Sequence, residues 1–340
     1  MLDSQSGKQR GTPLNFGEIV RQTLAIYKTH FITLLIFSVI VAIPLTLFSS
    51  YLLTPALARL SDLQQSVVSS SDALSGSVDP SLLSQLGNDL GGILASVGMV
   101  LVAISFVQTI ILNSAVTQIA SEQYFGKRIS IFQAFLTISP RLPILGVSSL
   151  LAYSVIVVVS VAMAAILFAC GMGFGLIVYV ALTLQSLLVP VAILERQNIL
   201  GSLGRSFTLG KLHLWQIVRA TILFMAFVQI AEVVFAPLID SLAGGTGIVV
   251  AVIVLLIQAA IAPLFPIAMT LLYYDARNRY EGLEAQLSAS EVANARPADV
   301  ASPTASALIT NRDISNIVLV SLLTLAMFFA LIALQMLFVG

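Results

Sequence analysis

Cysteine, histidine, tryptophan and charge are all scarce in this chain. A single cysteine, Cys170, excludes an intrachain disulfide and a thiolate metal cluster. Two histidines, His30 and His213, stand without cysteine or a carboxylate pattern, so interfacial packing explains them better than a zinc site. HExxH, GxSxG and Walker loops are absent, and with them the familiar hydrolase and nucleotide-binding constellations. Only 9% of residues are charged, acids and bases balance at 16 each, and no basic cluster points to nucleic acid. The polar first thirty or so residues lack the apolar core and small-residue cleavage site of a secretory leader, so the first apolar run is expected to be retained.

What is abundant is apolar length. A chain of 340 residues that is 58% hydrophobic, with mean hydropathy +1.00, cannot hide its apolar surface in a water-soluble globule. Seven runs, at about 31–53, 93–117, 144–165, 174–193, 214–238, 248–272 and 317–339, reach the roughly 20 residues that an α-helix needs to cross about 30 Å of hydrocarbon. The glycines of the segment GMGFG, Gly171, Gly173 and Gly175, mark a tight outer turn between the third and fourth runs. Hydrocarbon offers no partner to a bare N–H or C=O, so the runs are expected to be helices and the fold an all-α polytopic membrane protein.

Positive charge sets the expected orientation. Lys8, Arg10, Arg21 and Lys28 precede the first span; Lys127, Arg128 and Arg141 lie between the second and third; Arg196, Arg205 and Lys211 lie between the fourth and fifth. Arg277, Arg279, Arg296 and Arg312 follow the sixth, and Arg219 sits just inside the fifth, where its long stem can snorkel to the headgroups. Only Arg59 falls on the other side, among Asp62, Asp72, Asp79 and Asp89. By the positive-inside rule the N-terminus is cytoplasmic and the C-terminus extracytoplasmic.

The spans fall into three related pairs. Amphipathic stretches precede the first, third and fifth: Phe16, Ile19, Val20, Leu24 and Tyr27 share one face; Phe132, Phe135 and Leu136 follow Ser130, a candidate N-cap; Leu200, Leu203 and Phe207 turn away from Arg205. The second helix of each pair carries Gln108, Gln185 or Gln258 near its middle, and five residues later Asn113, Pro190 or Pro263. Three hairpin repeats with cytoplasmic interfacial helices are therefore expected, in one orientation, related by a pseudo-threefold axis along the membrane normal, with the seventh helix outside the scheme. The domain plan is a polar tail at 1–13, a six-span membrane domain at 14–282, a flexible cytoplasmic linker at 283–313, and a C-terminal transmembrane helix at 314–340. Asp79-Pro80 ahead of SLLSQL reads as a helix start that extends the second span outward.

Three passages, LNFGEIVRQTLAIYKTHF from Leu14, ILERQNILGSLGRSFTLGKLHLWQIV from Ile193 and YYDARNRYEGLEAQL from Tyr273, resemble the membrane-domain family related to glycerophosphoryl diester phosphodiesterases. Glu195, Arg205, Ser206, Tyr274, Asp275, Arg277, Glu281 and Gly282 carry most of the likeness, which covers about 14–287. The resemblance implies a six-helix domain of the bacterial inner membrane; the phosphodiesterase chemistry of some members belongs to a separate soluble barrel, which this sequence lacks. The seventh helix and its linker depart from the family pattern.

Candidate sites follow from cost. A glutamine amide at mid-depth must find a hydrogen-bond partner, so Gln108, Gln185 and Gln258 form a candidate polar core, either interhelical glue or the lining of a path for a solute or lipid headgroup. Pro190, Pro263 and Pro266 free backbone carbonyls and can kink their spans. Glu232 lies roughly 27 Å along the fifth span, close to the outer surface and far from where a transport acid is wanted. Arg205, Tyr274, Asp275, Arg277, Arg279 and Glu281, with Tyr273, form a candidate cytoplasmic contact for anionic lipid headgroups or an unidentified membrane-protein partner. No catalytic residue, metal or cofactor is expected. The first reading is a non-enzymatic accessory or scaffold protein in envelope or lipid homeostasis; the alternative is a transporter or lipid-handling permease working through the glutamines.

Overall fold

A computed structural model of the chain describes residues 14–71, 80–170, 173–243, 247–290, 295–300 and 310–339. In order, the α-helices are α1 (Phe16–Ser71), α2 (Pro80–Gln108), α3 (Ser114–Tyr124), α4 (Ile131–Ile138), α5 (Leu142–Cys170), α6 (Gly173–Gln185), α7 (Leu188–Leu194), α8 (Ile199–Leu212), α9 (Leu214–Ala243), α10 (Gly247–Ile261), α11 (Leu264–Glu281), α12 (Leu283–Ala289) and α13 (Asn311–Val339). No strand occurs among the described residues. Six helical stretches are long and apolar enough to cross a membrane: Phe16–Pro55, Gly91–Tyr124, Ile131–Ser160, Gly175–Leu194, Leu214–Ala231 and Val252–Glu281. The chain is a helical, multi-pass membrane protein.

Its exterior says the same. Ile32, Ile36, Ile40, Ile43 and Leu47 make an exposed stripe along α1, and Leu223, Phe227 and Ile230 another along α9. Water would penalise such continuous apolar faces, whereas lipid tails solvate them. The first amphipathic stretch is not a separate helix, because α1 runs unbroken for 56 residues through it and onward. In α4, by contrast, the Ser130 side chain accepts from the Gln133 N–H while Gln133 reaches back to the Ser130 N–H, a reciprocal cap that starts a helix of eight residues. Asn198 caps α8 by accepting from the Gly201 N–H at 2.7 Å.

Each even-numbered span is interrupted just after its glutamine. A π-helical turn at Thr109–Asn113 follows Gln108, a turn at 186–187 follows Gln185, and a turn at 262–263 follows Gln258 by four residues. Pro190 and Pro263 explain two of these breaks, since each lacks the N–H that would close a helical turn and its ring crowds the preceding one. The first break has no proline. There Ser114 bonds back to the Ile110 carbonyl and sits 3.3 Å from that of Ile111, sharing the load of a loosened turn.

The buried core gathers around α11, which packs against α1, α3, α7, α8 and α9. Ile267, Leu271, Leu272, Tyr273, Tyr274 and Ala276 of α11 are fully buried against Ile119 and Ala120 of α3 and Val191 of α7. The stretch expected to be a structureless linker instead begins with α12, because Leu283 is buried and Leu287, four residues on, packs against the same core. Further along, Arg296 pairs with Glu122 at 2.6 Å and its guanidinium covers the Phe125 ring at 4.6 Å. At the junction of α11 and α12, Gly282 adopts φ +62° and donates to the Asn278 carbonyl at 3.2 Å, so the left-handed turn both ends one helix and starts the next. α13 lies along α6, and a Cβ at Gly175 would collide with Ser321. Gly175 is thus a helix-contact glycine as well as part of the outer segment. Residues Gly171, Asp72 and Asp79 and the side chains of Asp89 and Glu232 lie outside the described residues.

Gly282→Ala is expected to cost about 1 kcal/mol through the left-handed conformation alone, and Gly282→Asn less, since asparagine tolerates that region. Thermal unfolding in detergent checks the order: wild type above Asn, Asn above Ala.

Candidate functional site

Glu195, Arg205, Arg277 and Glu281 meet at one end of the bundle, inside it. Glu195 sits at the C-terminus of α7, where Arg196 takes the left-handed conformation at φ 54° and swings the chain into α8. That turn delivers Arg205, about two turns along α8, to Glu195, with Nε 3.0 Å from Oε2. Arg205 also bonds Glu281 of α11 through Nη2. Arg277, one turn before Glu281, pairs with it at 2.9 Å and lies 3.5 Å from Glu195. Tyr273 completes the ring, its hydroxyl donating to Glu195 at 3.1 Å and accepting from Arg277 at 3.3 Å. Two carboxylates therefore balance two guanidiniums where the side chains are at most 6% exposed. Burial alone would lower the Arg205 pKa, but Glu281 and Glu195 together outweigh it and hold the guanidinium above its ordinary value.

Two satellite clusters flank the ring. Asp275 accepts from Arg279 at 2.8 Å and from the Leu14 N–H at 2.7 Å, while His213 Nε2 lies 3.1 Å away. Arg279 in turn donates to the Leu14 carbonyl at 2.6 Å, so the start of the described chain is stitched to α11. Tyr274 shares a 2.7 Å hydrogen bond with Ser121 and stacks on Tyr124 with centroids 4.3 Å apart. On the other side, Lys211 of α8 pairs with Asp313 at 3.2 Å and Tyr179 of α6 donates to Asp313 at 2.9 Å, fastening the first turn of α13. Desolvation raises the Asp313 pKa, yet the side-chain and backbone donors of Thr310, with Tyr179 and Lys211, more than reverse it and hold the carboxyl below the ordinary aspartate range.

Most of the residues of the candidate cytoplasmic contact lie inside the bundle. Arg205, Tyr274, Asp275 and Arg277 are buried, the Glu281 side chain is 6% exposed, and only Arg279, at 30%, reaches the surface. Their charges are spent on one another, which leaves little for headgroups or a partner. The signal that could have shown this was in the spacing: Asp275 with Arg279 and Arg277 with Glu281 are i,i+4 pairs on one helix.

The glutamines do not converge on one site. Gln108 and Gln258 line one cavity of about 600 Å³, between α1, α2, α9 and α10, together with Ser38, Thr46 and Ser105. Gln185 lines a second of about 600 Å³, walled by α5, α6, α9, α11 and α13. Thr109, Asn113, Phe265 and Pro266 belong to both and form the partition between them. These partition residues come from the π-helical turn and from the start of α11, so the helix breaks shape both cavities. His30 lies 3.3 Å from Gln123 Oε1, and Arg219 is exposed. Among the described residues no group of three His, Cys, Asp or Glu side chains is arranged to hold a metal ion.

Comparison with family models, with curated proteins and with solved structures finds no match. The geometry of the ring and of the two cavities therefore carries the functional argument by itself.

Removing one member of the ring leaves a buried charge uncompensated. Arg277→Met and Glu195→Gln are each expected to cost about 3–5 kcal/mol, and the double variant markedly less than their sum. Unfolding curves for the four-member cycle test this; strict additivity would dissolve the ring as a unit. A carboxyl with a depressed native pKa stabilises above its unfolded value and loses that contribution as pH falls through the native one. The fastening of α13 should thus hold from neutral pH to about pH 4 and weaken below it. Protease release of a C-terminal tag, followed against pH, should show this dependence in wild type and lack it in Asp313→Asn.

Proposed function

We propose that the chain is a non-enzymatic, multi-pass protein of the bacterial inner membrane that serves lipid homeostasis by holding lipophilic molecules inside the bilayer and passing them between its leaflets. The observation that supports this best is the pair of cavities at the level of the helix breaks, each within the usual range for small-molecule sites and each carrying at least one glutamine amide in a mostly apolar wall. Interrupted helices at membrane depth are tolerated where they face protein or a cavity, and transporters use them at binding sites. In this reading the three helix pairs are repeats in one orientation, α13 is a seventh crossing, and the ion-pair ring lies at the cytoplasmic end. The resemblance to membrane domains of glycerophosphoryl diester phosphodiesterases agrees with this reading, since four of the residues that carry it, Glu195, Arg205, Arg277 and Glu281, build the ring bracing this bundle.

An accessory, scaffolding role is favoured by a separate observation. Exposed Phe132, Leu136 and Leu200 stand with exposed Lys127, Arg128 and Arg196 on the segments that enter and leave the third and fourth spans. Apolar and basic side chains together suit the anionic headgroup layer or a membrane-protein partner seated in it.

Liposomes loaded with a fluorescent, uncharged glycolipid and quenched from outside separate the two roles. Transfer between leaflets is expected to be faster with the protein than without it, and to fall several-fold in a Gln108→Leu, Gln185→Leu, Gln258→Leu variant that unfolds at the wild-type temperature. Wild-type vesicles that behave like empty ones would overturn the lipid-passing role and leave the scaffold.

A further inference from the structure

Among the described residues, the cavity walled by α13 is lined by more residues with unpartnered buried polar atoms than its neighbour, where Ser38 Oγ is the one such atom. Ser149 Oγ of α5, Gln185 Nε2 of α6 and Thr221 Oγ1 of α9 are all buried, all without a hydrogen-bond partner, and all belong to residues lining this one cavity. Ser149 is only 1% exposed. A buried hydroxyl or amide left unpaired costs about 1–3 kcal/mol, and native proteins leave few of them. Three such residues, from three helices, line a single cavity, and a ligand there can supply the missing partners once these side chains turn toward it.

The rest of the lining specifies the ligand. Among the described residues, no Asp, Glu, Lys, Arg or His lines the cavity. A phosphate or carboxylate head would enter without a counter-charge and bear the full cost of desolvation. Met225, Met269 and Met327 supply flexible, polarizable walls that adapt to chains of varied shape. The amide Nε2 donates, and each hydroxyl can donate or accept, so they match one small uncharged head such as an alcohol or ester. We infer that this cavity binds a neutral amphiphile with a single hydrogen-bonding head, the head held among Ser149, Gln185 and Thr221 and the chain between α9 and α13. The inference rests on the lipid-handling reading above and names the ligand class for one of its two cavities.

The test uses the full chain in phosphatidylcholine nanodiscs, with a photoreactive fatty alcohol and the matching fatty acid as probes at a pH where the acid is ionised. The alcohol is expected to label wall residues such as Leu323 and Met327, to be displaced by unlabelled alcohol, and to exceed the acid by tenfold or more, the equivalent of about 1.4 kcal/mol. Gln185→Leu should weaken alcohol labelling about fivefold, in keeping with one lost neutral hydrogen bond. Ala181→Phe, which fills the cavity from α6, should abolish it. Each variant is scored only beside an unchanged unfolding temperature, and Ser149→Ala gives a second route to the head group should either misfold. Equal labelling by acid and alcohol, or labelling confined to the outward Leu223 and Phe227, would overturn the inference. Cavity labelling without any lipid transfer in vesicles supports the site and sinks the transfer reading; transfer with no cavity labelling does the reverse.

Discussion

A charge or a bare amide taken out of water has to find its match within the protein, and in this chain that demand fixes where almost every polar residue goes. Glu195, Arg205, Arg277 and Glu281 come from three helices and are buried together as two opposite pairs. None of the four is stable there without the others, so the ring forms only when α7, α8 and α11 reach their native positions. Such a ring adds little net stability compared with an apolar core of equal volume, because desolvation offsets most of the attraction. What it supplies is register: an α11 rotated or slid by one residue would strand at least two ions. The Asp275 cluster and the Lys211–Asp313 pair extend the same logic to the start of the described chain and to α13.

Away from that end the same demand is met differently. Hydrocarbon depth is served by uncharged groups, glutamines, serines and threonines, and their backbones are broken beside them. The breaks matter because a continuous helix pair would close over the space. A π-turn after Gln108 and the proline at position 263 move Thr109, Asn113, Phe265 and Pro266 into a shared wall, leaving a cavity on either side. Rigidity at the charged end and open space away from it are thus consequences of one division of labour, charge paired with charge at one end and amide beside cavity along the apolar stretches.

Much of the fold was legible in the sequence, for a simple reason. Six runs of apolar residues long enough to span, punctuated by Gly and Pro, can satisfy their backbones only as helices, and helices fill those positions. Ser130 was readable as a helix start because capping is local chemistry. The ring was half readable. Arg277 with Glu281 and Asp275 with Arg279 show as i,i+4 pairs, but charge next to a span ordinarily snorkels to the surface, and nothing local says that Glu195 and Arg205 will arrive to bury it. The helix at Leu283–Ala289 was hidden by the Ala- and Ser-rich composition beyond it, although Leu283 and Leu287 were spaced to pack. The π-turn was hidden entirely, because Thr109–Asn113 reads as more span.

The division of the glutamines between two cavities follows from geometry that no periodicity reveals. Equivalent positions in three hairpins would converge on the axis of a perfect three-fold bundle, yet α11 occupies the centre, touching α1, α3, α7, α8 and α9. With that helix on the axis there is no common lumen for three side chains to share, and the space is parted on either side of it. Gln108 and Gln258 stay with the α1 side, while Gln185 is left on the side that α13 covers. The extra helix therefore does more than add length. It closes a cavity that the six-helix domain alone would leave open to lipid along α6, and the Lys211–Asp313–Tyr179 contact keeps it there. The two cavities therefore differ in their walls, one bounded by α13 and the other by α1, α2 and α10.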